Sequence, residues 1–596
     1  MKLTDIVANI LAENNIKHVF AVSGGASLHL IHSLAKNPNT TYICPQHEQG
    51  GAYAADGYAR ASSGLGCAIA TSGPGATNLI TGIASSYYDS VPVIYITGQV
   101  ATFRSKGNTG VRQMGFQETD IVDICKTITK YAVLVQDPFM IEFELNKAIQ
   151  IAQEGRPGPV LVDIPDDLQR MDIDPSKLVK YLPSNAQIEN KENSLDEVIN
   201  NCIDEIKNST RPIIIYGWGI HLAGAENEAL ELAKKTGIPV AMTWGARDLM
   251  PEEDELTVGG FGTHGTRCSN YAVQNSDLVI CVGSRLDTKA TGTPPSSFAR
   301  EAKIIMVDID PCEINKFGVL NRKIDIGVVE DAKIFLKALC GKVSEIDSSR
   351  YNSWLERIHG WKKKYPQVGV GCETEKDINP YWLIKKLSEL LDEDQIIFSD
   401  TGCSIAWSMQ AFEFKKGQKF FHAFNNTPMG YALPGAIGAS FAKQHAQIIC
   451  IVGDGALLMS IQELATVAHH NLPIKILLMN NDGHAMVRQT QEMWLDGDFF
   501  ATSPEGGLPS PNFESIASAF GFECSSVNTN QDIERKLRWL LNANGPTLLN
   551  VVLSPDVQVE PQVKFGRPNE DANPLLNRDE FFENMIIKPL DVSRSI

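Results

Sequence analysis

Apolar positions along the chain fall in short runs that stop at glycine or a polar residue, and helical patterns follow them. The clearest case lies between Ile448 and Asp482. Ile448 to Val452 is an unbroken apolar run and predicts a buried strand. It ends in Gly453-Asp454-Gly455. A helical pattern follows, with Leu458, Ile461, Leu464, Ala465 and Ala468 on one face. A second apolar run, Ile474 to Met479, ends in Asn480-Asn481-Asp482. Strand, helix and strand in this order bring both strand ends to one edge of a parallel sheet, where ligands bind.

The same pattern recurs in three segments and predicts an α/β fold of three doubly wound parallel-sheet domains. The first runs from Met1 to about Met171. Leu3, Ile6, Val7, Ile10 and Leu11 predict an amphipathic helix over Leu3–Asn14. Strands are predicted at His18–Val22, Cys67–Thr71, Val91–Thr97 and Pro159–Ile164. The first three end in Ser23-Gly24-Gly25, Ser72-Gly73-Pro74-Gly75 and Gly98-Gln99. The middle segment, about Leu195 to Cys340, holds strands at Pro212–Tyr216, Ile238–Val240, Leu278–Val282 and Ile304–Ile309, with glycine-rich ends suited to a dinucleotide. The third, Pro380 to about Leu553, adds a strand at Ile396–Ser399 that ends in Asp400-Thr401-Gly402-Cys403-Ser404. Asp172–Ser194 is polar and predicts a linker. Gly341–Asn379, with Trp354 and Trp361, predicts a connector. Ser554–Ile596 is proline-rich; a lid, a dimer clasp and a packed tail all fit that composition.

Composition narrows the class. At 596 residues the soft expectation is about three to five domains. A net charge of -18, without Lys/Arg-rich runs, argues against nucleic acid as a partner. Twelve cysteines are scattered with no C-x-x-C pair, which suits a reducing cytoplasm. No apolar run is long enough to span a bilayer, so no membrane partner is expected.

The chemistry starts from Asp454 and Asn481. A carboxylate and a neutral amide oxygen, at neighbouring strand ends, suit Mg²⁺ completed by phosphate oxygens. Gly453 and Gly455 allow the backbone to approach those phosphates. Gly-Asp-Gly followed some two dozen residues later by Asn-Asn resembles the thiamine diphosphate (ThDP) motif. That resemblance implies metal ligation by Asp454, Asn481 and the backbone oxygen of Gly483. It also implies a glutamate against the aminopyrimidine ring, sharing a proton with a ring nitrogen. Glu48 fits the role, since it precedes a run of small residues, Gly50 to Ala59, that can pack closely.

HEQGGAYAADGYAR, TSGPGATNLITGIASSYYDSVPVIYITGQV, FQETDIV and GRPGPVLVDIP, in this order, resemble the catalytic subunit of the acetolactate synthase family. The resemblance covers about Met1 to Leu553. It implies ThDP, Mg²⁺ and a structural FAD as cofactors. It places Gly24 and Gly25 at the aminopyrimidine, Phe116 and Gln117 near the reacting centre, and Gly402, Cys403, Ser404 and Met429 around the ThDP. FAD contacts carry over to Arg156, Gly217, Gly219, Gly262, His264, Gly283, Arg285, Asp287 and Asp308. Arg285 is also implied to hold the carboxylate of a second keto acid. The implied activity is a carboligase that decarboxylates pyruvate and transfers the two-carbon unit to a second carbonyl compound. A homodimer or homotetramer is implied, since the family's pocket forms between two chains, and a small regulatory subunit joins the partner classes.

Three departures stand out. Lys289 takes the place of the family's second arginine. The block before Met250 reads Thr243-Trp244-Gly245-Ala246-Arg247. Ala485-Met486-Val487-Arg488-Gln489-Thr490 has threonine where the family has the tryptophan that shapes the acceptor pocket. The last keeps a bulkier acceptor, such as a keto sugar, open beside a keto acid. Trp494, one helical turn on, is a candidate substitute. A ThDP-dependent decarboxylase or oxidase and a non-catalytic paralogue are the competing classes, and intact Glu48, Asp454 and Asn481 speak against the paralogue.

Overall fold

Among the described residues, eighteen strands form three six-stranded sheets. The computed structural model describes residues 1–183, 192–343 and 346–594. Part of the predicted linker, two residues of the connector and the last two of the tail therefore lie outside the described residues. Every pairing between the named strands is parallel.

The N-terminal sheet holds β1 (His18–Ala21), β2 (Thr41–Ile43), β3 (Gly66–Ala70), β4 (Val93–Gln99), β5 (Tyr131–Leu134) and β6 (Val160–Pro165), in the order β2-β1-β3-β4-β6-β5. The middle sheet holds β7 (Pro212–Tyr216), β8 (Val240–Met242), β9 (Thr257–Gly260), β10 (Leu278–Val282), β11 (Lys303–Asp308) and β12 (Ile326–Val329), in the order β12-β11-β10-β7-β8-β9. The C-terminal sheet holds β13 (Ile396–Ser399), β14 (Lys419–Phe421), β15 (Ile448–Gly453), β16 (Ile474–Asn480), β17 (Glu523–Val527) and β18 (Thr547–Val552), in the order β14-β13-β15-β16-β18-β17. Unbroken apolar runs form these strands because both sheet faces are covered. In β15, Ile448, Cys450 and Val452 enter one apolar cluster while Ile449 and Ile451 enter another.

Each sheet has a reversal of winding between neighbouring central strands, at β1/β3, β7/β10 and β13/β15. A crevice opens at such a reversal, beyond the carboxyl ends of the strands. All three crevices are flanked by the glycine turns read from the sequence. The N- and C-terminal sheets also share one continuous apolar cluster, from Phe20 and Tyr95 to Phe398 and Val452. Its seam is the helix Glu48–Ser62 against the helix Ala432–Ala442. A Cβ on Gly57 would lie 2.2 Å from the Gly435 oxygen, and one on Gly438 would lie 1.9 Å from the Ala54 oxygen. Glycine is what lets these helices touch backbone to backbone.

A buried charge cluster locks this seam to the middle domain. Arg60 pairs with Asp56 at 2.6 Å and Asp89 at 2.7 Å. The Tyr431 hydroxyl donates to Asp56 (2.6 Å), the Phe424 N–H to Asp89 (2.8 Å), and Trp218 Nε1 to the Asp89 carbonyl (3.0 Å). Removing one partner of such a group leaves a buried charge unmatched, which typically costs about 3–5 kcal/mol.

Several expectations need correction. The single helix predicted after Asp454 is three pieces, Asp454–Leu458, Ile461–Glu463 and Leu464–His469. Its fully buried apolar residues are Ala456, Leu457, Leu464 and Val467, while Leu458, Ile461 and Ala468 of the predicted face pack half-buried against the same cluster. The chain rewinds there because Glu463 must turn toward the N-terminal domain, where its carboxylate accepts from Gln46 N (3.0 Å) and His47 N (3.1 Å). The connector is more than a connector: Trp354 and Trp361 are buried in the middle domain's second cluster. The tail packs along the middle domain. The Val563 N–H bonds the Thr263 oxygen (2.8 Å), Glu570 pairs with Arg300 (2.7 Å), and Phe581 joins the same cluster.

Candidate cofactor sites

At the β13/β15 crevice, Asp454 opens the short helix that follows β15. Its carboxylate is buried and accepts only from backbone, Gly455 N at 2.8 Å and Gly483 N at 2.9 Å. No cationic side chain hydrogen-bonds or ion-pairs with it among the described residues. Burial pushes its pKa up to about 6. A buried carboxylate bonded only to backbone N–H groups, with Arg488 acting on it through space, is what a bound cation would complete. Asn481 lies at the end of β16, its side-chain oxygen 3.2 Å from Arg488 Nη2. Gly455 has no room for a side chain: a Cβ would lie 2.5 Å from His484 Nε2 and 3.3 Å from Met429 Cε. Met429, Gly455 and His484 thus gather beside Asp454. Across the crevice, Gly402 (φ +79°) precedes the helix Cys403–Ala411, with Ser404 Oγ 3.8 Å from the position of a Gly453 Cβ. These residues fit a diphosphate held through Mg²⁺.

At the β1/β3 crevice, the turn Thr71–Gly75 is the hub. A Cβ on Gly24 would collide with Thr71 at 2.5 Å, one on Gly75 would lie 3.2 Å from Glu48 Oε1, and one on Gly73 would lie 2.9 Å from Gln117 Cβ. Gly24, Glu48 and Gln117 therefore meet around one turn. Gly25 faces open space, as a ring-binding glycine would. Glu48 begins its helix, where the dipole favours a carboxylate. It accepts from Asn78 Nδ2 at 2.9 Å. Phe116 is 86% exposed, and Gln117 adopts φ +63°. Among the described residues, no hydrogen bond or ion pair joins Glu48 to Asp454 or Asn481 within one chain.

At the β7/β10 crevice lies a cavity of about 1280 Å³ counting its open mouth. Arg156, Gly219, His264, Gly283, Arg285, Asp287 and Asp308 line it; Gly217 and Gly262 stand behind. A Cβ on Gly217 would lie 2.4 Å from the Gly283 oxygen, so the two strand ends press together under the cavity floor. Arg156 pairs with Asp310 and Glu313, both at 2.9 Å. Arg285 pairs with Glu313 (3.2 Å) and donates to the Tyr88 carbonyl (3.1 Å). Arg285 thus lies at this cavity, apart from the Glu48 and Asp454 clusters. His264, 5.9 Å from the Trp244 ring, is held neutral by burial, its pKa down to about 3. Glycine turns, a strand-end Asp308 and two arginines fit a dinucleotide.

Sequence reasoning missed Asn78, His484, Arg488 and Glu463, all of which reach their partners only through tertiary folding. For Arg488, its place one turn into the helix after Asn481 was the available signal. Trp218, Phe424 and Asp89 at the dinucleotide cavity were likewise unmarked.

Residues 1–124 match the family model described as thiamine pyrophosphate enzyme, N-terminal TPP binding domain. Residues 199–339 match the central domain and residues 400–551 the C-terminal TPP binding domain. The chain is 36% identical to the probable acetolactate synthase large subunit of Methanocaldococcus jannaschii, over 96% of both chains. It is 35% identical to the acetolactate synthase large subunit of Cyanidium caldarium over 94% of both. It is also 35% identical to the chloroplastic acetolactate synthase of Arabidopsis thaliana, over 96% of this chain and 84% of that one. No helix among the described residues is long and apolar enough to cross a membrane.

Proposed function

The chain belongs to the acetolactate synthase family of thiamine diphosphate enzymes, and from that premise we propose that it decarboxylates pyruvate and transfers the two-carbon unit to a second carbonyl compound. The observation that carries this reading is the pair of half-sites, a buried uncompensated Asp454 at one crevice and Glu48 at its counterpart. In this proposal Asp454, Asn481 and the Gly483 oxygen hold Mg²⁺, and the turns at Gly402 and Gly453 cradle the diphosphate. Bound ThDP supplies the electron sink for decarboxylation, and bound FAD is structural. Glu48 holds a proton at the aminopyrimidine, with Asn78 fixing its second oxygen. Met429, beside Gly455, would support the bound cofactor. Phe116 and Gln117 border the reacting centre, and Arg285 takes a substrate carboxylate in bidentate fashion.

A second copy of the chain completes each site in this proposal: among the described residues no hydrogen bond or ion pair within one chain links Glu48 to Asp454 or Asn481, and apolar side chains beside each half are exposed. Exposed Phe116 and Met114 on one half, and Trp494, Leu495 and Phe500 on the other, are the apolar surface such a dimer would cover. All twelve cysteines are free thiols, which suits a cytoplasmic setting.

Thr490 favours a second reading of the acceptor. Its hydroxyl turns back to the Met486 oxygen (3.1 Å), and Trp494 is 68% exposed, so the smaller side chain at 490 is not offset by a packed Trp494 within the chain. That room suits an acceptor larger than pyruvate. Product analysis decides both points. Efficient acetolactate formation from pyruvate alone removes the larger acceptor, and release of acetaldehyde or acetate without any ligation product removes the carboligase. Bleaching of bound flavin by pyruvate would mark an oxidase.

A further inference from the structure

The loop between Ala101 and Asp120 carries Phe116 and Gln117, yet its apolar side chains do not anchor it. Phe103, Met114 and Phe116 are 69%, 53% and 86% exposed. The buried Glu118 carboxylate ties the two limbs together, alongside the Lys106–Asp120 ion pair (2.5 Å) and the Thr102 bonds to Asp167 (2.9 and 2.5 Å). Glu118 Oε1 accepts from Lys106 N (2.6 Å) and Ser105 Oγ (3.1 Å) on the outgoing limb. Its Oε2 accepts from Met114 N (2.8 Å) and Gly115 N (3.1 Å) on the returning limb. The Glu118 carbonyl takes a further bond from Gln113 Nε2 (2.9 Å). Each oxygen ties one limb, so the carboxylate closes the loop as a bound anion would. The next residue back, Gln117, is in a left-handed conformation (φ +63°) and pressed against Gly73, at the turn that also borders Glu48. That conformation is uncommon for a non-glycine residue and needs a surrounding structure that enforces it.

We infer that Glu118 is a positioning residue, whose carboxylate fixes the two limbs of the 105–118 loop and so holds Gln117 and Phe116 at the edge of the Glu48 crevice. The inference rests on the proposed roles of Phe116 and Gln117. A carboxylate is required, because four donors converge on two oxygens. An amide in its place keeps one acceptor and turns an N–H₂ toward at least one backbone N–H, that of Lys106 in one orientation or those of Met114 and Gly115 in the other.

The test uses the enzyme loaded with ThDP and Mg²⁺ and reads loop order and kinetics together. In Glu118→Gln, amide exchange across 105–117 should quicken by about tenfold or more and kcat/KM for pyruvate fall by at least about tenfold, while the Kd for ThDP stays within about twofold, since geometric misplacement costs rate before it costs remote binding. Unchanged exchange overturns the inference. So does faster exchange with unchanged kcat/KM, which would make Glu118 a packing residue only. If Glu118→Gln fails to fold, Ser105→Ala removes one donor to Oε1 and should move both readouts the same way by less. Gln117→Ala separates the two levels: full kinetics in that variant would sink the role given to Gln117, whatever the exchange data say of Glu118.

Discussion

The N- and C-terminal domains share one strand order: β2-β1-β3-β4-β6-β5 matches β14-β13-β15-β16-β18-β17 element for element. Yet each puts its acid where the other has none. In the C-terminal domain the carboxylate follows the switch strand, as Asp454 after β15, and the helix Ala432–Ala442 that follows β14 begins with apolar residues. In the N-terminal domain the switch strand β3 ends in an uncharged turn, and the carboxylate begins the helix after β2, as Glu48. The first position points a charge at the strand ends, where the proposed function puts phosphate and metal. The second places a charge at a helix start, where the proposed function puts the ring of a cofactor held by a second chain. The same sheet therefore supports two unlike tasks, and the task is set by which of two positions carries the acid.

That division predicts unlike failures. Glu48→Gln should lower turnover by about 10²–10⁴-fold, the range of a positioned proton-transfer group, while leaving ThDP binding largely intact. Asp454→Asn should instead weaken Mg²⁺ binding by more than about 100-fold, beyond what losing an outer-shell partner costs a metal site. Tryptophan quenching by ThDP, titrated with and without Mg²⁺, separates the two. If Glu48→Gln lost ThDP affinity as Asp454→Asn does, the two acids would not be doing different jobs.

The same contrast marks how far the sequence alone reaches. Central strands such as β10 and β15 are buried on both faces, so their apolar runs announce them. The glycine turns at β1, β3, β7, β10, β13 and β15 were legible for the same reason, because each interrupts a run at its carboxyl end. The edge strands were not. β2 and β17 are short, half-exposed edge strands with no run to see, and β5, although it reads Tyr-Ala-Val-Leu, is a four-residue edge half-exposed along its length. β9 is half glycine. Asp454 and Asn481 stood out by residue type and by their place at strand ends, whereas Glu48 was marked only through the family resemblance. Glu118 was not, because a carboxylate bound by four donors from a folded-back loop looks, in sequence, like any surface glutamate.

The seam between the two domains offers a smaller test. Glycine to alanine in a helix interior ordinarily stabilises by about 0.5–1 kcal/mol. Gly438→Ala should reverse that sign, because its Cβ meets the Ala54 carbonyl of the other domain at 1.9 Å. The expected loss is about 1–3 kcal/mol, as for overpacked cores. Gly360→Ala is the control: it sits mid-helix with nothing within 4 Å of its Cβ and should gain the ordinary amount. Denaturant midpoints for the two variants should move in opposite directions. A gain in both would mean that the helices do not touch as described.

The smallest expected effect is one of pH, and here too the domains differ in sign. His422, in the C-terminal domain, is fully buried; its Nδ1 lies 2.9 Å from the Ser399 carbonyl, its Nε2 has no partner, and burial takes its pKa down to about 3. Unfolded, the ring takes up a proton near pH 6.5 that the native state refuses. Its stabilising contribution is therefore whole above pH 6.5 and lost as pH falls toward 3. Asp163, in the N-terminal domain, is buried between Thr97 (2.7 Å) and Gln99 (2.9 Å), and burial raises its pKa to about 7. Its contribution is whole below pH 3.8 and lost as pH rises through 7. The parent protein carries both trends and shows only their balance. Substitution separates them: relative to the parent, His422→Gln should lose least at pH 5 and most at pH 7, and Asp163→Asn the reverse. Melting temperatures across pH 5–7 measure this, each variant's profile tilting by on the order of 2 kcal/mol across the range and the two tilting in opposite directions. Parallel profiles for the two variants would place the proton uptake of unfolding on other groups.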